Sequence, residues 1–593
     1  MIYVVEGLNA CSGLHERGFT FTGANAVAGQ RRGSETDDLF LSFHDVRLAA
    51  QKRAAHFLAQ GIARGDRIAL VVPEGEHFIP AFLGGLWMGA VPVPLYPPVS
   101  LGKLDAFMDA LVTILNVAKP KALVTTERVA KILWSAIGRI PSLEKILIAE
   151  ELERDPSGPL PEAATFAPDD LAFLQFTSGS TALPKGVMVT HGSLAANCNA
   201  IIHDSLRVTR DDVAVSWLPL YHDMGLIGLV IAPVTYQIST VYISTLSFIK
   251  NATIWMETIH KYKGSLSFAP NFAYALVTKR ARAEQLARWD LSRMRVFGCG
   301  AEPINPSTMR AFVEKFAAAG VKATSLMPCY GMAEATLAMS FIGLDETLKV
   351  DRIDADRYHG DQKAAPGNGL EIVNCGRVIA GHEISIQDDD GRILPERAVG
   401  QICFRGPSVA KGYWANPEAS REAGFGGWLK TGDLGYLAGG EVHVSGRLKD
   451  ILIINGRNYY PQRIEWLVDE LPGVRKGSAV VFTRPGAASE EIVVAAETRE
   501  RDEAALRQAI VSRISEEFQL AVSDVALVPP GALPKTSSGK LQRRKTRDQY
   551  LRGTLGKAGR GGSTRLAVAK HLALSWVGRA RHGARGFLKR LGA

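Results

Sequence analysis

The chain has 593 residues, room for roughly four compact units at about 150 residues each. Its 46% hydrophobic and 22% charged content excludes collagen-like, low-complexity and disordered classes. The net charge of +9 does not describe the body: Leu551 to Ala593 carries ten Lys/Arg and no acid, leaving 59 basic against 60 acidic residues before it. A basicity confined to the tail removes the case for a polyanion-binding body.

The start of the chain lacks a basic n-region and Glu6 interrupts its apolar run, so no signal peptide is expected. Short apolar runs then alternate with helical stretches: Ile68–Val72 followed by an apolar segment to Met88, Ala122–Thr125, Ile146–Ala149, and Leu171–Phe176. This predicts α/β layers with mostly parallel, buried strands. Between Asp223 and Lys250 lie 26 uncharged residues, but Pro233, Gln237 and several Ser/Thr favour a buried helix and strand over a membrane span. From Ile384 the texture changes to closely spaced strands and turns, a small β-rich subdomain. After Gly446 a second small α/β unit is expected: a helix opened by Pro461 near Arg463–Glu470, strands at Ala479–Phe482 and Ile492–Ala496, and a helix near Asp502–Phe518. Cys11, Cys198, Cys299, Cys329, Cys375 and Cys403 show no C-x-x-C spacing, which argues against zinc or disulfide scaffolds and fits a reducing, cytoplasmic compartment.

Chemistry concentrates first in Gln175-Phe-Thr-Ser-Gly-Ser-Thr-Ala-Leu-Pro-Lys-Gly186, directly after an apolar strand. Small residues let backbone N–H groups approach phosphate oxygens, hydroxyls add donors, and Lys185 adds charge. The nucleoside-triphosphatase P-loop pattern fails: Lys185 lies six after Gly179, but Pro184 takes the second glycine position and Gly186 the Ser/Thr position.

Taken with Tyr330-Gly-Met-Ala-Glu334, Thr431-Gly-Asp433, Gly446-Arg447-Leu-Lys449-Asp450 and Leu533-Pro-Lys-Thr-Ser-Ser-Gly-Lys540, this segment resembles the adenylate-forming superfamily of acyl-CoA synthetases, luciferases and peptide-synthetase adenylation domains, from about Phe40 to Arg544. The resemblance implies an α/β adenylate-forming fold: a large N-terminal domain over 1–446 including the β-rich subdomain, a small mobile α+β C-terminal domain over 447–550, and a basic tail over 551–593. It implies ATP and Mg²⁺, and attack of an acid carboxylate on the α-phosphate to give an acyl-adenylate and pyrophosphate. Thr177, Ser178, Gly179, Ser180, Thr181 and Lys185 would hold the phosphates, with Glu334 and Thr181 near Mg²⁺ and Thr336 nearby. Tyr330, with Gly331, Met332 and Ala333, would face adenine from one side and Gly300, Ala301 and Glu302 from the other; packing of Tyr330 as a core aromatic stays open. Asp433, assisted by Arg447, would bind the ribose, Lys540 would reach the reacting groups, and Lys449 would be the hinge.

Within the superfamily, Trp217-Leu-Pro-Leu-Tyr-His-Asp-Met-Gly-Leu226 looks like the form in fatty acyl-AMP ligases, with His222 near the acyl pocket, and Met224–Val234 is tunnel lining or core. Residues of about 347–372, rich in Asp, Arg, Gly and Pro, read as an exposed loop where those ligases carry an insertion. In them it is thought to restrain the C-terminal unit, so that the acyl group passes to the phosphopantetheine arm of an acyl carrier protein rather than to CoA. A medium- or long-chain fatty acid is the expected substrate and a carrier protein the partner; a CoA ligase, a tolerated insertion without effect, and an inactive acyl-binding scaffold are the alternatives. In the tail, Leu566–Val577 can wind with Leu566, Ala569, Leu572, Ala573, Trp576 and Val577 on one side, which suits a peripheral contact with an anionic membrane as well as a solvated extension, and nucleic acid has only charge behind it.

Overall fold

The computed structural model describes residues 17–22, 38–98, 104–177, 184–454, 457–486, 490–536 and 539–556, together with Ser575. Its central sheet has nine strands in the order Arg377–Val378, Ala338–Phe341, Leu326–Gly331, Val296–Cys299, Leu266–Ala269, Val213–Ser216, Ser239–Tyr242, Gly18–Phe21, Leu39–Ser42. The strands from Leu326–Gly331 to Gly18–Phe21 run parallel, with antiparallel pairing at both edges. A second sheet, Val91–Pro94, Arg67–Val71, Ala122–Thr125 and Lys145–Ile148, is parallel throughout. The β-rich subdomain is a four-stranded antiparallel sheet of Glu383–Gln387, Gly400–Arg405, Leu429–Ala438 and Glu441–Arg447. The uncharged span after Asp223 is helical to Tyr236, with wider turns at Ile227–Ile231, and then enters the central sheet as Ser239–Tyr242. Among the described residues no helix is long and apolar enough to cross a membrane.

Two expectations need correction. Leu171–Thr177 belongs to neither parallel sheet: it pairs antiparallel with Lys185–Thr190, with Thr177 opposite Lys185 and Phe176 opposite Gly186. Chain length dictates this, because a parallel crossover needs a dozen or more residues and only seven separate Thr177 from Lys185. The phosphate-loop motif therefore caps a hairpin, unlike the strand–loop–helix of a P-loop.

The second correction concerns the insertion. Its strands Val350–Ile353 and Leu370–Val373 pair antiparallel around a helix, Ala355–Gly360, capped by Asp354, whose side chain accepts from the Arg357 N–H at 2.9 Å. Tyr358 is 1% exposed, in a cluster with Ile353, Ile372, Val399, Leu434, Tyr436 and Tyr460. Polar composition misled because one of the charges is an anchor: Arg397 donates to Asp351 at 2.9 Å and the Tyr436 hydroxyl donates to Asp351 at 2.9 Å, whereas Asp356, which accepts from Arg457 at 2.9 Å, stays exposed.

After the turn Leu448–Asp450, the chain forms the helix Pro461–Asp469, the antiparallel pair Val474–Pro485 and Glu490–Thr498, the helix Glu503–Phe518, and a strand not foreseen, Val522–Val528, parallel to Glu490–Thr498. Helix Arg543–Leu551 follows. The amphipathic stretch expected over 566–577 lies outside the described residues apart from Ser575.

Candidate active site

Four neighbouring parallel strands end on the same side, and the segments leaving their carboxyl ends include three of the sequence-marked stretches, Trp217 to His222, Gly300 to Glu302 and Met332 to Glu334, together with Pro270 to Phe272. Ligand sites in open parallel sheets lie outside such ends. Gly225 in the first segment is required by contact, since a Cβ there would come within 2.3 Å of the Pro219 carbonyl oxygen. The His222 ring nitrogen Nδ1 lies 2.6 Å from Asp223, which also accepts from the Met224 N–H at 2.7 Å. Burial raises the Asp223 carboxyl, but His222 and Lys540 outweigh it and hold the group below the ordinary range. Gln175, at the entrance to the phosphate hairpin, donates to the Tyr221 carbonyl at 2.9 Å and so ties the two motifs together.

Tyr330 closes the strand Leu326–Gly331, and its hydroxyl donates to Asp433 at 2.8 Å. Asp433 stands opposite Arg447 in the β-rich sheet, with 3.4 Å between Arg447 Nε and the carboxylate. Burial raises the Asp433 carboxyl, while Arg447 and the Tyr330 hydroxyl oppose the rise. On the next strand Glu302 accepts from the Phe272 N–H at 2.8 Å, and Ala301 holds the left-handed conformation at φ +67°. Tyr330 is 8% exposed and packs within the main hydrophobic core, as the core-aromatic alternative expected.

Beyond Tyr330 the chain bulges at Gly331, where a Cβ would lie 2.0 Å from the Leu337 carbonyl oxygen, and turns through Met332 and Ala333 to Glu334. Thr336 is a β-branched residue at φ +69°, ψ −62°, inside a three-residue turn closed by the Leu337 N–H on the Ala335 carbonyl at 2.9 Å. Such a turn is rare and strained; here the Thr336 hydroxyl is fixed to the Ser408 carbonyl at 2.7 Å. Glu334 is 9% exposed and accepts from the Tyr413 hydroxyl at 2.9 Å. Burial holds its carboxyl above the usual range. A buried carboxylate is the hard-oxygen donor that a divalent cation takes, and Mg²⁺ commonly takes one or two carboxylates plus substrate phosphates. Lys185 lies over the face of the same Tyr413 ring, 4.4 Å from its centroid. Ser178, Gly179, Ser180 and Thr181 lie outside the described residues, between the facing pair Thr177 and Lys185.

The loop bearing Lys540 reaches this cluster from the other unit. Gly539 approaches the Phe272 ring, to which a Cβ would stand at 3.6 Å. Loss of water pushes the Lys540 ammonium below its ordinary value, while Glu302, Asp223 and Asp433 pull it up and Arg447 pushes it further down. The loop closes on itself through the Thr536 N–H to the Lys540 carbonyl at 2.7 Å and the Lys540 N–H to the Thr536 hydroxyl at 3.1 Å. Two anchors behind it were not foreseen. Glu497, fully buried, accepts from the Leu533 N–H at 3.0 Å and from Arg475 at 2.6 Å. Arg543 donates to Asp450 at 2.7 Å and to both oxygens of Glu465 at 2.8 and 2.9 Å, binding the base of the loop to the residue after Lys449, which itself is exposed. The acid ending the apolar run Ile492–Ala496 was the one sequence signal for Glu497; nothing local marked Arg543 or Tyr413.

The structure thus gathers Lys185, Glu334, Tyr330, Asp433, Arg447, Glu302, Asp223 and Lys540 around one cleft between two units. Cations and anions alternate there, an arrangement suited to a reaction between two anions. The family model described as "AMP-binding enzyme" matches residues 22–414, and that of the "Disco-interacting protein 2-like, AMP domain" matches 449–559. A Caulobacter vibrioides protein named "Putative acyl-CoA synthetase" is 37% identical over 87% of this chain and 91% of its own. The "Medium-chain-fatty-acid--[acyl-carrier-protein] ligase JamA" of Moorena producens is 32% identical over 87% and 90%. A solved structure from work on fatty acyl-adenylate ligases of E. coli and L. pneumophila superposes with a TM-score of 0.86 at 35% identity, covering 93% of this chain and 98% of that one. The chain belongs to the adenylate-forming, AMP-binding enzyme family.

Proposed function

We propose that this protein is a fatty acyl-AMP ligase that activates a medium- or long-chain fatty acid with ATP and passes the acyl group to the phosphopantetheine thiol of an acyl carrier protein. The observation that carries the acceptor half is the insertion. Tyr358 packs at a tilt against Tyr460 with 5.3 Å between ring centroids, His359 stacks on Tyr459 at 4.7 Å with its ring nitrogen 2.6 Å from the Asn458 carbonyl, and Arg463 donates to the Glu371 carbonyl at 2.8 Å. A C-terminal unit held this way resists the rotation that CoA thiolysis demands. The fatty-acid half is supported by the relatives' names and by the buried apolar helix after His222.

In adenylation the acid's carboxylate oxygen bonds to the α-phosphorus as the bond to the bridging oxygen of pyrophosphate breaks. Lys540 neutralises charge shared by the carboxylate and α-phosphate, and Lys185 with Thr177, Ser178, Gly179, Ser180 and Thr181 holds the departing phosphates. Asp433 and Arg447 fix the ribose, Tyr330 and the Gly300–Glu302 turn enclose the base, and Glu334 would hold Mg²⁺, which would supply positive charge to the phosphates. His222 borders the acyl entrance. In the second half the thiol sulfur bonds to the acyl carbon, AMP leaves, and the thiol proton goes to solvent.

A long-chain fatty acid–CoA ligase is the second reading, favoured by the name of the Caulobacter relative. Incubation with ATP, Mg²⁺ and a fatty-acid panel, then CoA or a holo-carrier protein, separates the two by mass spectrometry: acyl-AMP and acyl-carrier are expected, and rapid stoichiometric acyl-CoA rejects the carrier reading. Absence of pyrophosphate release would leave an inactive scaffold.

A further inference from the structure

Outside every motif named above, Ala410–Trp414 runs between the two halves of the phosphate side of the cleft. Its backbone lies along the strand that follows the phosphate loop: the Lys411 N–H donates to the Met188 carbonyl at 2.9 Å, the Met188 N–H to Gly412 at 2.9 Å, and the Trp414 N–H to Gly186 at 2.7 Å. The Ala410 N–H donates to the Glu334 carbonyl at 2.9 Å, so the same segment is stitched to both walls. Tyr413 repeats this link with its side chain, placing its face under Lys185 at 4.4 Å and its hydroxyl on Glu334 at 2.9 Å. It is 7% exposed, its N–H donates to Ser420 at 2.8 Å, and Phe425 packs edge-on against its ring at 5.1 Å.

A lysine is a point charge on a flexible stem, and a carboxylate reached by one short turn can swing. A ring with two stiff torsions, clamped behind by Phe425 and Ser420, fixes both at once through its two different chemistries. We propose that Tyr413 is a positioning residue for adenylation, setting the separation between the Lys185 ammonium and the Glu334 carboxylate through the face and the hydroxyl of one ring. This rests on the reading of Lys185 as a phosphate ligand and Glu334 as the Mg²⁺ ligand.

The test uses the full chain and binding readouts without fatty acid. Mn²⁺ binding in the presence of α,β-methylene-ATP, followed by electron paramagnetic resonance, reports the carboxylate; metal-free binding of a fluorescent ATP analogue reports the lysine. Tyr413→Phe keeps the ring and loses the hydroxyl: Mn²⁺ affinity falls about tenfold, the loss expected for a hydrogen bond to a charged group, and metal-free nucleotide affinity stays within about twofold of wild type. Tyr413→Leu loses both, with metal-free affinity lower by about threefold or more. In turnover, Tyr413→Phe raises the half-saturating Mg²⁺ concentration more than it lowers kcat. If Tyr413→Phe binds Mn²⁺ as wild type does while Glu334→Gln binds it weakly, the positioning role is overturned and the ligand reading stands. If Glu334→Gln also binds Mn²⁺ as wild type does, the ligand reading itself is overturned. Equal loss of both affinities in Tyr413→Phe marks a general structural effect and likewise rejects the proposal.

Discussion

Among the described residues, two contacts between the C-terminal unit and the rest of the molecule are built on opposite plans. At the Lys540 loop the contact is narrow: a glycine against one phenylalanine ring, and a half-buried ammonium among carboxylates. At the insertion it is broad and apolar, with a buried tyrosine, one stacked and one tilted aromatic pair, and hydrogen bonds to backbone. The first places its charge where an anionic substrate would meet it, whereas the second is made by the chain's own side chains. On the proposed function, catalysis and restraint fall on separate surfaces, and each is expected to change without the other.

The largest effect is expected at the thin contact. Lys540→Ala lowers pyrophosphate release by about 10²-fold or more, the cost of deleting one charge-stabilising donor, and leaves acyl transfer from supplied acyl-AMP near wild type; equal loss in both half-reactions would contradict the assignment. At the broad contact, Tyr358→Ala removes a fully buried ring, costs roughly 3–5 kcal/mol locally, and raises acyl-CoA formation at least about tenfold, one factor per 1.4 kcal/mol of lost restraint. Unchanged acyl-CoA output in a folded Tyr358→Ala protein would detach the insertion from acceptor choice. Glu497→Gln sits between the plans, since it loosens the support of the Lys540 loop without touching the cleft. Adenylation is expected to fall about five- to tenfold, the size of one weakened buried hydrogen bond, with nucleotide binding intact by fluorescence titration.

The smallest effect is a pH dependence of the restraint. Burial lowers the His359 imidazole below its ordinary 6.5, helped by Arg463 and Arg457 and opposed by the Asn458 carbonyl and Asp356. A histidine depressed in the docked state takes up its proton more readily when undocked, so docking is at full strength above pH 6.5 and weakens as pH falls below it. Acyl-CoA leakage, normalised to acyl-AMP formation, is expected to rise on acidification in the wild type and to stay flat in His359→Gln.

How much of this was legible follows from what each residue does. Motif residues act through spacing along the chain, so Lys185, Glu334, Asp433, Arg447 and Lys540 could be named from sequence, and the structure brings the five into one cleft. The parallel core was legible because strands buried on both faces write continuous apolar runs. The insertion was not: Arg352 and Asp356 are solvated as their type suggests, but Asp351 is tucked under Tyr436, beside a small core whose partners, Tyr436 and Tyr460, lie about 80 to 100 residues away. Tyr413 and Arg543 escaped for the same reason, since their chemistry lies wholly in partners distant in sequence. The hairpin of the phosphate loop was deducible from its length and was missed by reading the strand before it alone.

The pairing of Val350 with Val373 and Ile353 with Leu370 has an evolutionary consequence. Everything between those strands leaves and re-enters the body through adjacent positions, so the unit is a cassette whose excision needs only a tight turn to reseal the chain, at little entropic cost. A lineage can gain or lose it in a single deletion or insertion event, and with it, on the proposed function, the restraint that selects the acyl acceptor, while the strands that carry the nucleotide motifs are left in place.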